Sequence, residues 1–365
     1  MIESIKILPN SLHVRFKNEI DDNFPNIWLR DHAKDEENWD YRSNQRKTYT
    51  ASLSFKLFIK EASVIDDGKY IKILWSDSKK VIKYSAKFLL NHLLKKSVKN
   101  KSLILWKKKQ ISKKIFLKYN TILSKVGFKE FLKNLYKFGF CVITDCKTEI
   151  ETVKNIANKI GYVRQSIFGG LWEFESNEDM ADSAYTQEEL RPHTDSTYSN
   201  DAPGLQLLLC CDYEASGGES IMVDGFKIAN IIKNQDKKIF DILSNIEVPG
   251  KYVGDGVILE AKRPIFKLNS NKELVQVSFN NYDRAEFRLE NQLMVNFYKA
   301  IKKFDNLVNE SEFQWRHTLK PGELLIFNNW RVLHGRGSFK GKRKMAGCYI
   351  NMEDFESICK INGLY

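Results

Sequence analysis

RPHTDSTY, residues 191–198, is the stretch on which the reading of the whole chain turns. In an extended strand, residues two apart share a face, so His193 and Asp195 present an imidazole and a carboxylate to the same side. Two such groups can grip one metal ion from two directions, and a third ligand has to come from elsewhere. The best candidate is His334, in NNWRVLHGRGSF (328–339). Two histidines and one carboxylate on one face of a metal form the facial triad of non-haem Fe(II) oxygenases, which leaves positions open for a co-substrate and O2. A His-x-Asp pair is common by itself, so the case rests on what surrounds it.

The chain has 365 residues, enough for one large domain or two smaller ones. No apolar run is long enough to span a bilayer, so no membrane partner is expected. MIESIKILPNSLHVRF at the N-terminus lacks a signal peptide's apolar region and cleavage site, and is not an Arg/Ser-rich transit peptide; it reads as cytoplasmic. Cys141, Cys146, Cys210, Cys211, Cys348 and Cys359 show no metal-type spacing and read as reduced core thiols. The net charge is +12, and positive charge concentrates between Lys79 and Lys118. Arginine, the usual base reader, is absent from that stretch and no nucleic-acid motif accompanies it. Solvated lysine faces are the reading, with no nucleic-acid partner.

Residues 1–100 read as a small β-rich domain. SLHVRF, NIWLRDH, TASLSF and YIKILW are short apolar or alternating runs between polar turns, and AKFLLNHLLKK (86–96) has helical periodicity. Residues 101–120 read as a Lys-rich linker, and residues 121–365 as the main domain. There, FKEFLKNLYKFGF (128–140) is an amphipathic helix, followed by the strand CVITD and a second helix, 148–161. From Gly204 on, LQLLLCC, GGESIMVDGF, VQVSFNNY, ELLIFNNW and MAGCYINM are short strands with Gly-containing turns, interrupted by helical inserts at 227–245 and 291–309. Many short strands with helices outside predict a mainly β fold closed as a jelly roll.

His334 is expected in a Gly-flanked turn after the strand ELLIF. Arg343 follows nine residues on, near the start of another strand. A guanidinium there could hold the far end of a dicarboxylate through paired hydrogen bonds, a geometry that lysine cannot match. His-x-Asp, a distant His and then an Arg, in that order, form the arrangement of 2-oxoglutarate-dependent oxygenases.

Here the sequence resembles a family, the trimethyllysine dioxygenase and γ-butyrobetaine dioxygenase group of carnitine biosynthesis. The resemblance runs from about residue 27 to the C-terminus. It is carried by IWLRDH, GGLWEF, DSAYT, HTDSTY, GGESIMVDGF, FNNYDRA and NNWRVLHGRGSFKGKRKMAGCY. GLWEF with DSAYT, and FNNYDRA, look nearer to trimethyllysine dioxygenases. The resemblance implies a double-stranded β-helix catalytic domain and a smaller N-terminal domain used in a homodimer. It implies Fe(II) on His193, Asp195 and His334, 2-oxoglutarate chelating the metal and paired with Arg343, and O2 as co-substrate. It implies a quaternary-ammonium substrate, held by an aromatic cage at Phe168, Trp172 and Tyr185; Phe168 stands where the group usually has Tyr. Asn281 with Asn280 would hydrogen-bond the substrate carboxylate, and Asp182 would meet an α-ammonium. The implied activity is 3-hydroxylation of Nε-trimethyllysine, with γ-butyrobetaine hydroxylation to carnitine, or hydroxylation of another quaternary amine, as the alternative.

Two departures stand out. The group has an Asp before the Asn-Trp that precedes the distal His; here it is Asn328, and an effect behind the ligands is expected, not loss of metal. Eukaryotic members also carry closely spaced cysteines after WLRD and a later His, which together bind zinc. Here the stretches read WLRDHAKDEENWDY and WSDSKK, with Lys79 where the His would lie. No structural zinc is expected, and His32 reads as structural.

Overall fold

Leu12, Val14 and Phe16 alternate with polar residues in SLHVRF, and all three are fully buried. That period of two is why the segment forms a strand with one face on a core. The computed structural model describes residues 1–17, 19–94, 103–175, 187–254 and 256–364. The chain divides into two compact units, Met1–Asn100 and Lys101–Tyr365.

In the first unit, Ile2–Ile7, Ser11–Phe16 and Asp21–Pro25 form one antiparallel sheet, and Ile59–Ile65, Tyr70–Trp75 and Val81–Ser85 a second. Leu12, Phe16, Ile71, Ile73, Trp75 and Leu89 fill the core. Two of the expected strands are not strands. NIWLRD forms a helix, Asn26–Asp31, directly after Pro25. Its run is too short for periodicity to separate helix from strand. Leu29 points into the core, while Trp28 stacks on His32 at 4.4 Å and on Phe88 at 5.3 Å between ring centres. In TASLSF, Thr50–Ser52 is a 3-10 turn and Phe55 stays 91% exposed, with no sheet neighbour to cover it. In the stretch without cysteines, Arg30 donates from Nε to Asp77 (3.0 Å) and from Nη1 to Asn38 (2.8 Å).

The second unit is a jelly roll with helices outside. Its larger sheet runs in the order Val163–Arg164, Phe339–Ile350, Leu205–Gly217, Leu324–Asn328, Phe140–Thr144, Phe116–Lys118, and Leu171–Glu175 also pairs with Phe339–Ile350. The smaller sheet is Leu190–His193, Val332–Arg336, Ser220–Asp224, Trp315–His317. Central strands of the larger sheet are apolar on both faces because both are covered. Phe140, Val142, Leu325, Phe327 and Met345 meet Met222 and Val332 of the smaller sheet. Their chain neighbours Cys141, Ile143, Leu324, Ile326 and Ala346 pack with Phe131, Leu135, Val153, Ile156 and Phe355 from the helices Lys125–Phe138, Ile150–Ile160 and Met352–Ile361.

Part of the stretch expected as a linker belongs to this unit. Trp106 is fully buried and its Nε1–H donates to the Phe138 carbonyl at 2.7 Å. Ile115 is buried too, and Phe116–Lys118 extends the larger sheet in parallel with Phe140–Thr144. The many lysines between these apolar anchors masked them in the composition. The insert at 227–245 is two helices, Gly225–Gln235 and Lys237–Asn245, because the Asp236 side chain caps the second by accepting from the Ile239 N–H. All six cysteines are unpaired. Among the described residues, no helix is long and apolar enough to cross a membrane.

Candidate active site

His193 ends the strand Leu190–His193, directly opposite His334 in the strand Val332–Arg336. His334 therefore lies within a strand, not in the Gly-flanked turn read from sequence; the turn is Asn329–Arg331, between the strands Leu324–Asn328 and Val332–Arg336. The two imidazole centres are 4.4 Å apart. Asp195 follows just past the first strand, and Ser196 at φ 57° turns the chain away. Asp195 Oδ1 lies 3.5 Å from His193 Nε2 and 3.4 Å from His334 Nε2. One ligand atom from each of the three residues falls within 4.8 Å of the others. Two imidazole nitrogens and one carboxylate oxygen so placed fit a single Fe(II).

The groups around the cluster fix its geometry. His193 Nδ1 faces the Arg191 carbonyl at 2.8 Å, which leaves Nε2 for a metal. The Tyr349 hydroxyl donates to Asp195 Oδ2 at 2.8 Å. Asn329 is 1% exposed; its Oδ1 accepts from the Asp195 N–H at 2.8 Å, and its amide donates to the Asp195 carbonyl at 3.2 Å and the Pro203 carbonyl at 3.1 Å. Asn329, not Asn328, is thus the asparagine that holds the ligand strand. The Asn328 side chain instead accepts from the Trp330 N–H at 2.9 Å and holds the turn.

Charge binds the cluster as well. Burial alone would raise the Asp195 carboxyl, but His334 and His193 outweigh it and hold it well below the usual carboxylate range. Burial pushes His334 down. His193 is raised, because against its burial stand Asp195, the Arg191 carbonyl and, last, Asp283.

The triad opens into a cavity with about 1030 Å³ of empty space, open solvent at its mouth included. One wall carries Arg343 and Arg336, 5.9 and 4.9 Å from the Phe339 ring. Arg343 is 7% exposed and makes no ion pair among the described residues. It sits inside the strand Phe339–Ile350, not at a strand start as expected; the basic run ahead of it is already paired, with Lys342 opposite Glu214. Arg336 donates to the Glu188 carbonyl at 2.8 Å. Burial first, then the charge of Arg343, brings it down to about 10.

A second wall is aromatic: Phe168, Trp172, Phe174 and Tyr349. Trp172 stands opposite Gly347 across the sheet. A Cβ at 347 would come within 2.1 Å of Trp172 Cη2, so only glycine lets the indole lie there. The indole Nε1 is buried with no partner among the described residues. A third wall carries Asn280 and Asp283. The Asn280 amide donates to Asp283 Oδ2 at 2.8 Å, and its Oδ1 accepts from the Tyr282 N–H at 2.8 Å. Asn281, named first in the sequence reading, is exposed and does not line the cavity. Asp182 and Tyr185 lie outside the described residues. Arg336, Tyr349, Asn329 and Asp283 are what sequence reasoning missed. All four lie inside blocks quoted for the resemblance, but nothing in their spacing points them at the triad.

Three comparisons bear on this site. The family model for taurine catabolism dioxygenase TauD, TfdA family, matches residues 108–349. Trimethyllysine dioxygenase of Meyerozyma guilliermondii is 32% identical, over 92% of this chain and 89% of its own. The mitochondrial trimethyllysine dioxygenase of Rattus norvegicus is 30% identical, over 94% of this chain and 83% of its own. Among solved structures, asparagine oxygenase in complex with Fe(II), 2S,3S-3-hydroxyasparagine and succinate superposes with a TM-score of 0.51 at 14% identity, covering 62% of this chain and 80% of that one; it shows the shared fold.

Proposed function

The chain belongs to the taurine catabolism dioxygenase TauD, TfdA family, and from that premise we propose that it hydroxylates Nε-trimethyllysine at C3, using Fe(II), 2-oxoglutarate and O2. Bound iron supplies the redox centre at which 2-oxoglutarate and O2 become succinate and CO2 while one oxygen atom enters a substrate C–H bond. The chain's own residues position and shield that chemistry. The observation that carries the reading is that His193, Asp195 and His334 share one cavity with a buried Arg343 and the Trp172 wall.

Arg343 is the proposed anchor for the distal carboxylate of 2-oxoglutarate. A buried cation is costly without an anion, and a bidentate carboxylate offsets that cost. Arg343→Lys keeps the charge and loses the fork. A charge-assisted bond is worth roughly 1.5–3 kcal/mol, so the apparent affinity for 2-oxoglutarate falls by about one to two orders of magnitude. An unchanged dependence of succinate release on 2-oxoglutarate rules the role out.

A trimethylammonium group has no N–H to donate, so it is held by aromatic faces. Phe168, Trp172 and Tyr185 form the proposed cage. Asn280 with Asn281 is proposed for the carboxylate; of the two, Asn280 lines the cavity, and among the described residues its amide donates only to Asp283. Asp182 is proposed to meet the α-ammonium, which γ-butyrobetaine lacks, and to repel that compound's carboxylate. Succinate release with each amine tests the reading: trimethyllysine is the good substrate and γ-butyrobetaine the poor one. Asp182→Asn weakens use of trimethyllysine and narrows the gap. If wild-type protein prefers γ-butyrobetaine in direct competition, the alternative function replaces this one. The proposal extends to a step towards carnitine, carried out by a cytoplasmic homodimer without a nucleic-acid or membrane partner.

A further inference from the structure

The reacting carbon of the proposed substrate constrains where its ammonium must sit. C3 is bonded to C2, which bears the α-ammonium, so that nitrogen lies roughly 2.5 Å from the carbon that reacts. An anion that recognises it must therefore stand beside the metal ligands, not at the mouth of the cavity. Asp283 lines the cavity that the triad opens into. Its chain neighbour Tyr282 packs its ring against His193, which keeps this loop on the side of the cavity that carries the triad.

Its loop is fixed from both sides. The Thr194 N–H donates to the Phe279 carbonyl at 2.7 Å, and the Phe279 N–H returns a bond to Thr194 Oγ1 at 2.9 Å. Thr194 lies between the two ligands His193 and Asp195. Beyond Asp283, the Lys251 N–H donates to the Asp283 carbonyl at 2.8 Å and the Ala285 N–H to the Pro249 carbonyl at 3.0 Å. The Tyr282 ring meets His193 edge-on at 5.8 Å, and its hydroxyl accepts from the Arg191 N–H at 3.0 Å. The Asn280 amide then orients the carboxylate. A charge held this firmly loses little entropy on binding a cation.

We propose that Asp283 binds the α-ammonium of the substrate and so selects an α-amino acid over a quaternary amine that carries only a carboxylate. This rests on trimethyllysine being the substrate. It adds a second carboxylate to the Asp182 proposed above, this one on the loop after the strand Leu274–Val277, so that both share the recognition of the ammonium.

The test pairs Asp283→Asn with two substrates, trimethyllysine and its des-amino analogue 6-(trimethylammonio)hexanoate. Asparagine keeps the shape and the acceptor for Asn280 but not the charge. With trimethyllysine, KM rises about 10- to 100-fold, the worth of a charge-assisted bond. Calorimetric binding to the protein loaded with Mn(II) and 2-oxoglutarate weakens by the same factor. With the analogue, kcat and KM stay within about threefold of wild type, which also shows that the variant is folded. Equal losses on both substrates make Asp283 only a support for its loop and overturn the assignment. No loss on either overturns it as well. Wild-type protein that turns over the analogue or γ-butyrobetaine but not trimethyllysine overturns the proposed function and this assignment with it; an insensitive Asp283→Asn in an enzyme active on trimethyllysine overturns the assignment alone.

Discussion

Asp195→Ala abolishes succinate release and bound iron, and leaves the protein folded. The variant removes the only oxygen donor from a cluster of two imidazoles and one carboxylate. Two imidazoles alone do not make a facial triad. The local backbone does not depend on the lost group, because Asn329 bonds to the main-chain N–H and carbonyl of Asp195. The Tyr349 hydroxyl loses its acceptor, at a cost of about 1 kcal/mol. That is small against a typical stability of about 5–15 kcal/mol. Metal analysis, succinate release and circular dichroism check the three parts. A variant with wild-type activity makes the metal assignment wrong.

The largest loss of stability is expected from Arg331→Met. Arg331 and Asp224 form a buried pair, with side chains 2% and 0% exposed. Arg331 Nε and Nη2 donate to the two carboxylate oxygens at 3.1 and 2.8 Å. The remaining donors go to the carbonyls of Ile104 (2.6 Å), Lys137 (2.9 Å) and Tyr136 (3.4 Å). One side chain thus ties the incoming segment, the end of the helix Lys125–Phe138 and the start of the helix Gly225–Gln235 to the turn that leads into His334. Methionine fills much of the volume but leaves the buried carboxylate without its cation, on the Trp106 and Phe226 N–H groups alone, and takes a donor from each of the three carbonyls. Breaking a buried pair on one side costs about 3–5 kcal/mol. The denaturant midpoint therefore falls steeply, and activity falls with it. Adding Asp224→Asn removes the stranded charge and recovers part of the loss. A midpoint unchanged in Arg331→Met contradicts the account.

What the sequence disclosed depended on whether the signal was local. His193 and Asp195 lie two apart, and the apolar runs of the jelly-roll strands are continuous because both faces are covered; both kinds of pattern are legible in one dimension. His334 was found through its motif, yet its placement opposite His193 depends on strand register, which spacing does not give. The same holds for Tyr349 and Arg336, which reach the cavity from separate strands. Asn328 and Asn329 show the limit at its finest. Adjacent residues of one type take different roles because the turn points one at Trp330 and the other at Asp195. In the Lys-rich stretch the failure was of averaging, since Trp106, Ile115 and Phe116 decide its fate and the lysines only its solubility.

Two of the three ligands are held by bonds from protein to protein, Arg191 to His193, and Tyr349 and Asn329 to Asp195, and His334 is placed by its strand, which pairs on both sides. None of them needs an ion, so metal adds by mass action to a fold that already stands. At a free concentration a hundredfold above its Kd, it contributes about 2.7 kcal/mol. The melting temperature then climbs with the logarithm of metal concentration, while the circular dichroism spectrum does not change. The cluster of two imidazoles and one carboxylate carries no thiolate or other group that singles out one ion. It ranks first-row divalent ions by their intrinsic affinity for two imidazoles and a carboxylate, so which ion occupies it is decided by supply.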